Sequence, residues 1–323
     1  MIPADVFEPV RARLLEVEAK LREAPAPGGQ HEALTAAIEH LLDSGGKRVR
    51  PGLALLVAQA FGVEASRAVA LAAAVEMLHT ATLVHDDLID GSLLRRGIPT
   101  LNAQWTPAAT VLTGDYLFAR AASLAAETDS VRVMDVFART LMVLVNGEIN
   151  QLFVSRGRVS RDDYYRRIYA KTASMFALAT QAGAILGSAA EPVVEAMRDY
   201  GKEVGMAFQI VDDILDYVGD EGHVGKPVGG DLRQGLVTLP ALYFLEAHPG
   251  DASMTAILNG QAGDPAQVAV VVNSIRASGA IDSAMAEARR FVARGQAALA
   301  AVSGRPQRDA LAALADYVVR RDL

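Results

Sequence analysis

The chain has 323 residues, 51% of them hydrophobic and 21% charged, with a formal net charge of −7 and no cysteine. This composition excludes disulfides and thiolate metal sites, fits a reducing cytoplasm, and argues against general nucleic-acid binding, which needs a basic face. Any phosphate recognition is therefore local, by a few basic side chains placed in a site.

The N-terminal stretch carries Asp5, Glu8, Glu16 and Glu18 and reads as amphipathic helix rather than as a signal peptide. The apolar runs 68–75 and 182–190 are too short, or too polar at their edges, for a membrane span. A first helix is expected over 3–22, starting properly near Pro9 and broken by the Pro and Gly residues at 25–29. A second follows over 31–43 and stops at Ser44-Gly45-Gly46. The next loop, Lys47-Arg48-Val49-Arg50, sets three cations behind two glycines, as an anion cradle or an ordinary solvated basic loop. Pro51 opens a third helix reaching Phe61.

The long helix that begins near Ser66 is Ala-rich, with no Pro or Gly between Glu64 and Ile89, and runs into EMLHTATLVHDDLIDGSLLRRG at 76–97. Asp86 and Asp90, four apart, share one helix face, roughly 5 to 6 Å apart at Cβ, where like charges repel. With Asp87 they sit in the last turn, next to unpaired carbonyls and the negative end of the helix dipole, so a cation belongs there. An all-oxygen set without Cys favours a hard ion such as Mg²⁺, which takes one or two carboxylates and then phosphate oxygens. His79, seven before Asp86, shares its face. Arg95 and Arg96 follow as planar phosphate donors. One such motif is equally the solvated end of an acidic helix.

A loop over 99–107 holds the single tryptophan, Trp105, and a helix over 108–126 carries Asp115, an isolated acid that reads as buried. Two long helices follow, over 130–153 with Glu148 and Gln151, and over 160–187 with Lys171-Thr172 among small residues. The helix over 192–218 repeats the acid spacing in QIVDDILD, as Asp212, Asp213 and Asp216, with Gln209 three before the first. Two acid triads at the ends of two apolar helices are costly as mere surface. Facing each other they would make a multi-metal diphosphate clamp. Residues 219–235 hold six glycines and Lys226 and read as loop. Helices over 237–247, 265–277, 281–301 and 305–321 complete a chain with almost no strand signal, read as one all-α domain over 1–323.

Taken in order, GGKRVRP, the first acid motif with RRG and Pro99-Thr100, GDYL, GEINQL, Lys171-Thr172, QIVDDILD and GKPVGGDL with TLP resemble the trans-polyprenyl diphosphate synthases. The resemblance runs from Gly45 to about Pro240. It implies an all-α, isoprenoid synthase-type helical barrel around a deep central cavity, a cytoplasmic homodimer, and condensation of isopentenyl diphosphate with an allylic diphosphate. It implies Mg²⁺ held by Asp86, Asp90, Asp212, Asp213 and Asp216, with Asp87, Lys171 and Lys226 in the catalytic set. By the same resemblance Lys47, Arg50, His79 and Arg96 bind isopentenyl diphosphate, while Arg95, Lys171, Thr172, Gln209 and Lys226 hold the allylic diphosphate or face the cation. Trp105-Thr106-Pro107 stands where the family often has a small, Gly-containing loop. A terpene cyclase would typically lack the second motif and the basic cradle, and a non-catalytic subunit would be expected to lose acids or arginines. Neither loss is seen. Ala81 and Thr82 stand where short-chain relatives tend to place a bulky aromatic floor, so a medium- to long-chain product is expected.

Overall fold

The computed structural model describes residues 6–23, 32–95, 97–153, 160–218, 228–258, 265–302 and 306–320. Its only sheet among them is an antiparallel hairpin, β1 (Leu94–Arg95) and β2 (Ile98–Pro99), with Leu94 opposite Pro99 and Arg95 opposite Ile98. Everything else is helical or connecting chain. In order come a 3₁₀ turn (Glu8–Val10), α1 (Arg11–Arg22), α2 (Glu32–Asp43), α3 (Val49–Ala60), α4 (Ala65–Ile89), the hairpin, α5 (Leu101–Gln104), α6 (Pro107–Ala126) and α7 (Val131–Phe153). Then follow α8 (Arg161–Ile168), a π turn (Tyr169–Ala173), α9 (Ser174–Leu186), α10 (Glu191–Val218), α11 (Gly230–Arg233), α12 (Leu239–Ala247), α13 (Ala252–Ala256), α14 (Pro265–Ala277), α15 (Ala280–Ala298) and α16 (Pro306–Arg320).

The chain divides into two compact units, one of residues Met1–Thr140, Met175–Arg198 and Ala301–Leu311, the other of Leu141–Ser174, Asp199–Ala300 and Ala312–Leu323. The first is built around α4, which packs on α1, α3 and α6. Its alanines keep helix propensity high and let neighbouring backbones come close. A helix apolar on every side belongs in a core, and residues Ala68 to Leu78 are buried throughout. By length and composition α4 would also pass for a membrane span, but 78% of its apolar window is buried within the protein. Fully buried leucines such as Leu53, Leu56, Leu71 and Leu78 each contribute about 1.5–3 kcal/mol relative to exposure. In the second unit Tyr217, Leu232, Phe244, Met254 and Val272 close a separate apolar cluster.

Two stretches expected as loops contain helical turns. Within 99–107, Thr100 accepts a hydrogen bond from the Ala103 amide through its hydroxyl and so starts α5. Within 219–235, α11 forms because a side chain distant in sequence caps it, as described below.

Candidate functional site

In the first unit, the loop ahead of α3 does not present its three cations alike. Lys47 is exposed. The half-buried Arg50 lays its guanidinium 5.2 Å from the centre of the Phe176 ring. Arg48 turns inward to Glu18 and Glu76, so the cradle presents two of the three expected cations. His79 lies half-buried on α4 with Thr82, Leu83 and Asp86, the spacing of one helix face.

α4 ends where the sequence places it. Asp90 is its C-cap, and Gly91, at φ 63°, turns the chain left-handed, with its amide bonded to the Leu88 carbonyl and that of Ser92 to Asp87. Asp86 is half-buried and Asp90 exposed, while Asp87 is 6% exposed and accepts from Arg95 Nε at 3.0 Å and Nη2 at 2.8 Å. Arg95 is thus already paired within its own motif, across a turn tied by the bond from the Thr100 hydroxyl to the Ser92 carbonyl. Arg96 lies outside the described residues.

The preceding His85 packs on α6, its Nε2 3.2 Å from the Val111 carbonyl and its ring 5.2 Å from that of Phe118. A Cβ at Gly114, the glycine of GDYL, would stand 2.1 Å from His85 Nε2. That glycine therefore sets how closely the end of α4 sits on α6. Asp115, expected to be buried, is instead exposed, with a side-chain accessibility of 59%. Gly114→Ala is expected to lower stability by about 1–3 kcal/mol, the usual range for overpacking, measurable by chemical denaturation; wild-type stability would show that His85 is not pinned there.

In the second unit Gly147 lets α7 and the π turn touch, since a Cβ there would lie 2.5 Å from that of Ala170. The next residue, Glu148, then reaches Lys171 Nζ at 3.2 Å. π turns recur at functional positions because they re-aim side chains, and this one carries both Lys171 and Thr172. The Thr172 hydroxyl donates to Gln209 Oε1 at 2.6 Å, and Gln209 Nε2 donates to Asp213 Oδ1 at 2.8 Å. Tyr164 donates to Asp213 Oδ2 at 2.7 Å. Burial pushes the Tyr164 hydroxyl well up, so it stays a donor. Tyr164 was not singled out from sequence; its place one helix before Lys171-Thr172 was the only signal.

Asp213, expected as a metal ligand, therefore has both oxygens engaged by side chains in a setting 5% exposed. Asp212 and Asp216 are half-buried. The Asp216 oxygens accept the Gly230 and Asp231 amides, each at 3.1 Å, which caps α11. Burial pushes the Asp213 carboxyl up against the opposing pull of its Gln209 and Tyr164 hydrogen bonds, and burial followed by the neighbouring Asp213 and Asp216 carboxylates pushes that of Asp231 up. Lys226 lies outside the described residues.

Among the described residues no group of three or more His, Cys, Asp or Glu side chains is placed to hold a metal ion by itself. Asp86, Asp90, Asp212 and Asp216 each keep some solvent access, and hard carboxylate oxygens of this kind suit Mg²⁺, which completes its shell with water and phosphate.

The family model for polyprenyl synthetase matches residues 31–275. Heptaprenyl diphosphate synthase component 2 of Geobacillus stearothermophilus is 40% identical over 316 residues, covering 96% of this chain and 96% of that protein. Octaprenyl diphosphate synthase of Escherichia coli (strain K12) is 37% identical, covering 88% of each. The crystal structure of polyprenyl synthase from Caulobacter crescentus CB15 complexed with calcium and isoprenyl diphosphate is similar at a TM-score of 0.91 and 37% identity, covering 98% of this chain and 97% of that one.

Proposed function

This chain belongs to the polyprenyl synthetase family, and from that premise we infer the reaction and the residues that serve it. It has the all-α isoprenoid-synthase fold, and it is a prenyltransferase that joins isopentenyl diphosphate head-to-tail to an allylic diphosphate, giving a longer trans-polyprenyl diphosphate. The observation that carries the assignment of residues is the parallel between the two acid motifs. In each, the central aspartate is buried against internal donors and the outer two are more accessible.

Bound Mg²⁺ supplies neutralisation of the diphosphate charge, so that it can leave. Asp86 and Asp90 of the first motif, and Asp212 and Asp216 of the second, are assigned to Mg²⁺ ions, several per site, and Asp213 to fixing the second motif. Lys47, Arg50, His79 and Arg96 orient the diphosphate of isopentenyl diphosphate. Arg95, Lys171, Lys226, Thr172 and Gln209 serve the allylic partner: the cations take its phosphates, and the Thr172 and Gln209 dipoles face the carbon that becomes positive as the bond breaks. The chain grows to medium or long length. The same reading places the reaction in the cytoplasm.

A second reading, a subunit that works only with a different chain, is favoured by one observation, the name "component 2" of the 40% identical relative. One experiment separates them: the purified chain alone, with labelled isopentenyl diphosphate, an allylic primer and Mg²⁺. Label in the organic extract supports the reading given; none at any primer length overturns it for the chain by itself.

The active species is a homodimer. Its support is a stripe on α7 of Met142, Val145, Ile149 and Leu152, spaced 3, 4 and 3 apart and exposed by 57, 46, 46 and 44%. A two-fold pairing of this helix with its copy would bury the stripe. Val145→Asp with Ile149→Asp is expected to turn a dimer into a monomer in sedimentation; a monomeric wild type would refute it.

A further inference from the structure

Arg48 sits between two residues assigned to isopentenyl diphosphate, yet its own side chain cannot join them. Its side chain is 18% exposed, and its guanidinium is held by two acids. Nε donates to Glu18 of α1, Nη2 donates to the other oxygen of the same carboxylate at 3.2 Å, and Nη1 donates to Glu76 Oε1 of α4 at 2.8 Å. Glu76 is itself 5% exposed. A charge that deep is held only when it is paired, and a planar fork is the donor that can serve two carboxylates at once.

The backbone at Arg48 is as unusual as the side chain. It is the N-cap of α3 with φ 48° and ψ 34°, the left-handed region that non-glycine residues seldom occupy. Gly45 and Gly46, just ahead, would supply such a conformation without strain. An arginine there makes sense if its side chain holds the turn. The Arg48 carbonyl also accepts the Gly52 amide, so the first turn of α3 hangs from this residue. Lys47 and Arg50 thus leave the chain on either side of a pinned point, and Glu76 lies one helical turn before His79 on α4.

We propose that Arg48 is a positioning residue for isopentenyl diphosphate: clamped by Glu18 and Glu76, it fixes the left-handed turn that aims Lys47 and Arg50 and ties that turn to the segment of α4 carrying His79. This rests on the assignment of Lys47, Arg50 and His79 to that substrate. Arg48 never touches the diphosphate; it acts by holding those that do, and misplacement of a binding group by about 1 Å is enough to cost a large factor.

The test compares full-length Arg48→Gly, Glu76→Gln and Lys47→Ala by steady-state kinetics in each substrate, alongside thermal melting. Arg48→Gly suits the left-handed backbone and deletes only the clamp. Glu76→Gln keeps the shape of the acid and serves if the first variant fails to fold. The expected result is a rise of about tenfold in KM for isopentenyl diphosphate in either clamp variant, with KM for the allylic primer within about twofold of wild type. A merely structural role would lower the melting temperature or the active fraction and shift neither KM selectively; that result, or equal shifts in both KM values, overturns the proposal. If Lys47→Ala leaves KM for isopentenyl diphosphate unchanged, the substrate assignment itself fails and the proposal falls with it. An effect of Lys47→Ala with none from the clamp variants rejects the proposal alone.

Discussion

Asp86→Ala and Asp212→Ala, each made singly, are expected to lose turnover by about a hundredfold or more, equivalent to about 2.7 kcal/mol of transition-state stabilisation. Both should keep wild-type helical content by circular dichroism. The first acid of each motif is half-buried, and Asp86 sits at the end of α4 where the helix dipole disfavours an anion. Removing it without Mg²⁺ should therefore leave thermal stability unchanged or raised, the trade of stability for function expected of an active-site charge. The central acids differ. Asp87→Ala strands Arg95, which makes its ion pair with Asp87 at 2.8 Å, so it should cost stability as well as activity. Mg²⁺ with inorganic diphosphate should raise the melting temperature of the wild type, and less so of either outer-acid variant. Full turnover in Asp86→Ala or Asp212→Ala at saturating substrate would end the assignment of Mg²⁺ to the two motifs.

A ring introduced just behind the first motif is expected to shorten the product. A chain growing away from Asp86 along α4 passes position 81 about 7.5 Å deeper, at 1.5 Å per residue. Ala81 and Thr82 leave that depth without a bulky floor. The two positions differ in the fold. Ala81 is 0% exposed and packed within the first unit, whereas Thr82 is half-buried on the face that also carries His79 and Asp86, its hydroxyl donating to the His79 carbonyl at 2.7 Å. Ala81→Phe should shorten the product and also lower stability by about 1–3 kcal/mol through overpacking. Thr82→Phe should shorten it with the smaller penalty. Chromatography of the dephosphorylated products decides: an unchanged distribution in both variants, or a wild-type product that is already farnesyl, would refute this account of chain length.

The helices were legible because their signals are local. The unbroken Ala-rich run before Ile89, Gly91 just past the last turn, and Pro51 in the first turn of α3 each act within a few residues. The two acid motifs were legible for the same reason, since a four-residue spacing fixes a shared face wherever the helix lies. What the tertiary structure alone decided is which polar groups are spent inside the protein. Arg48 is drawn from the cradle by acids 30 and 28 residues away, and Asp213 is claimed by a tyrosine 49 residues earlier. Asp216 caps a helical turn 14 residues on, which the glycines of that stretch concealed, and Asp115, isolated in sequence, faces solvent. A hydrogen-bond partner is set by which helix faces meet. Helical periodicity tells which residues share a face, but not which face of another helix they meet.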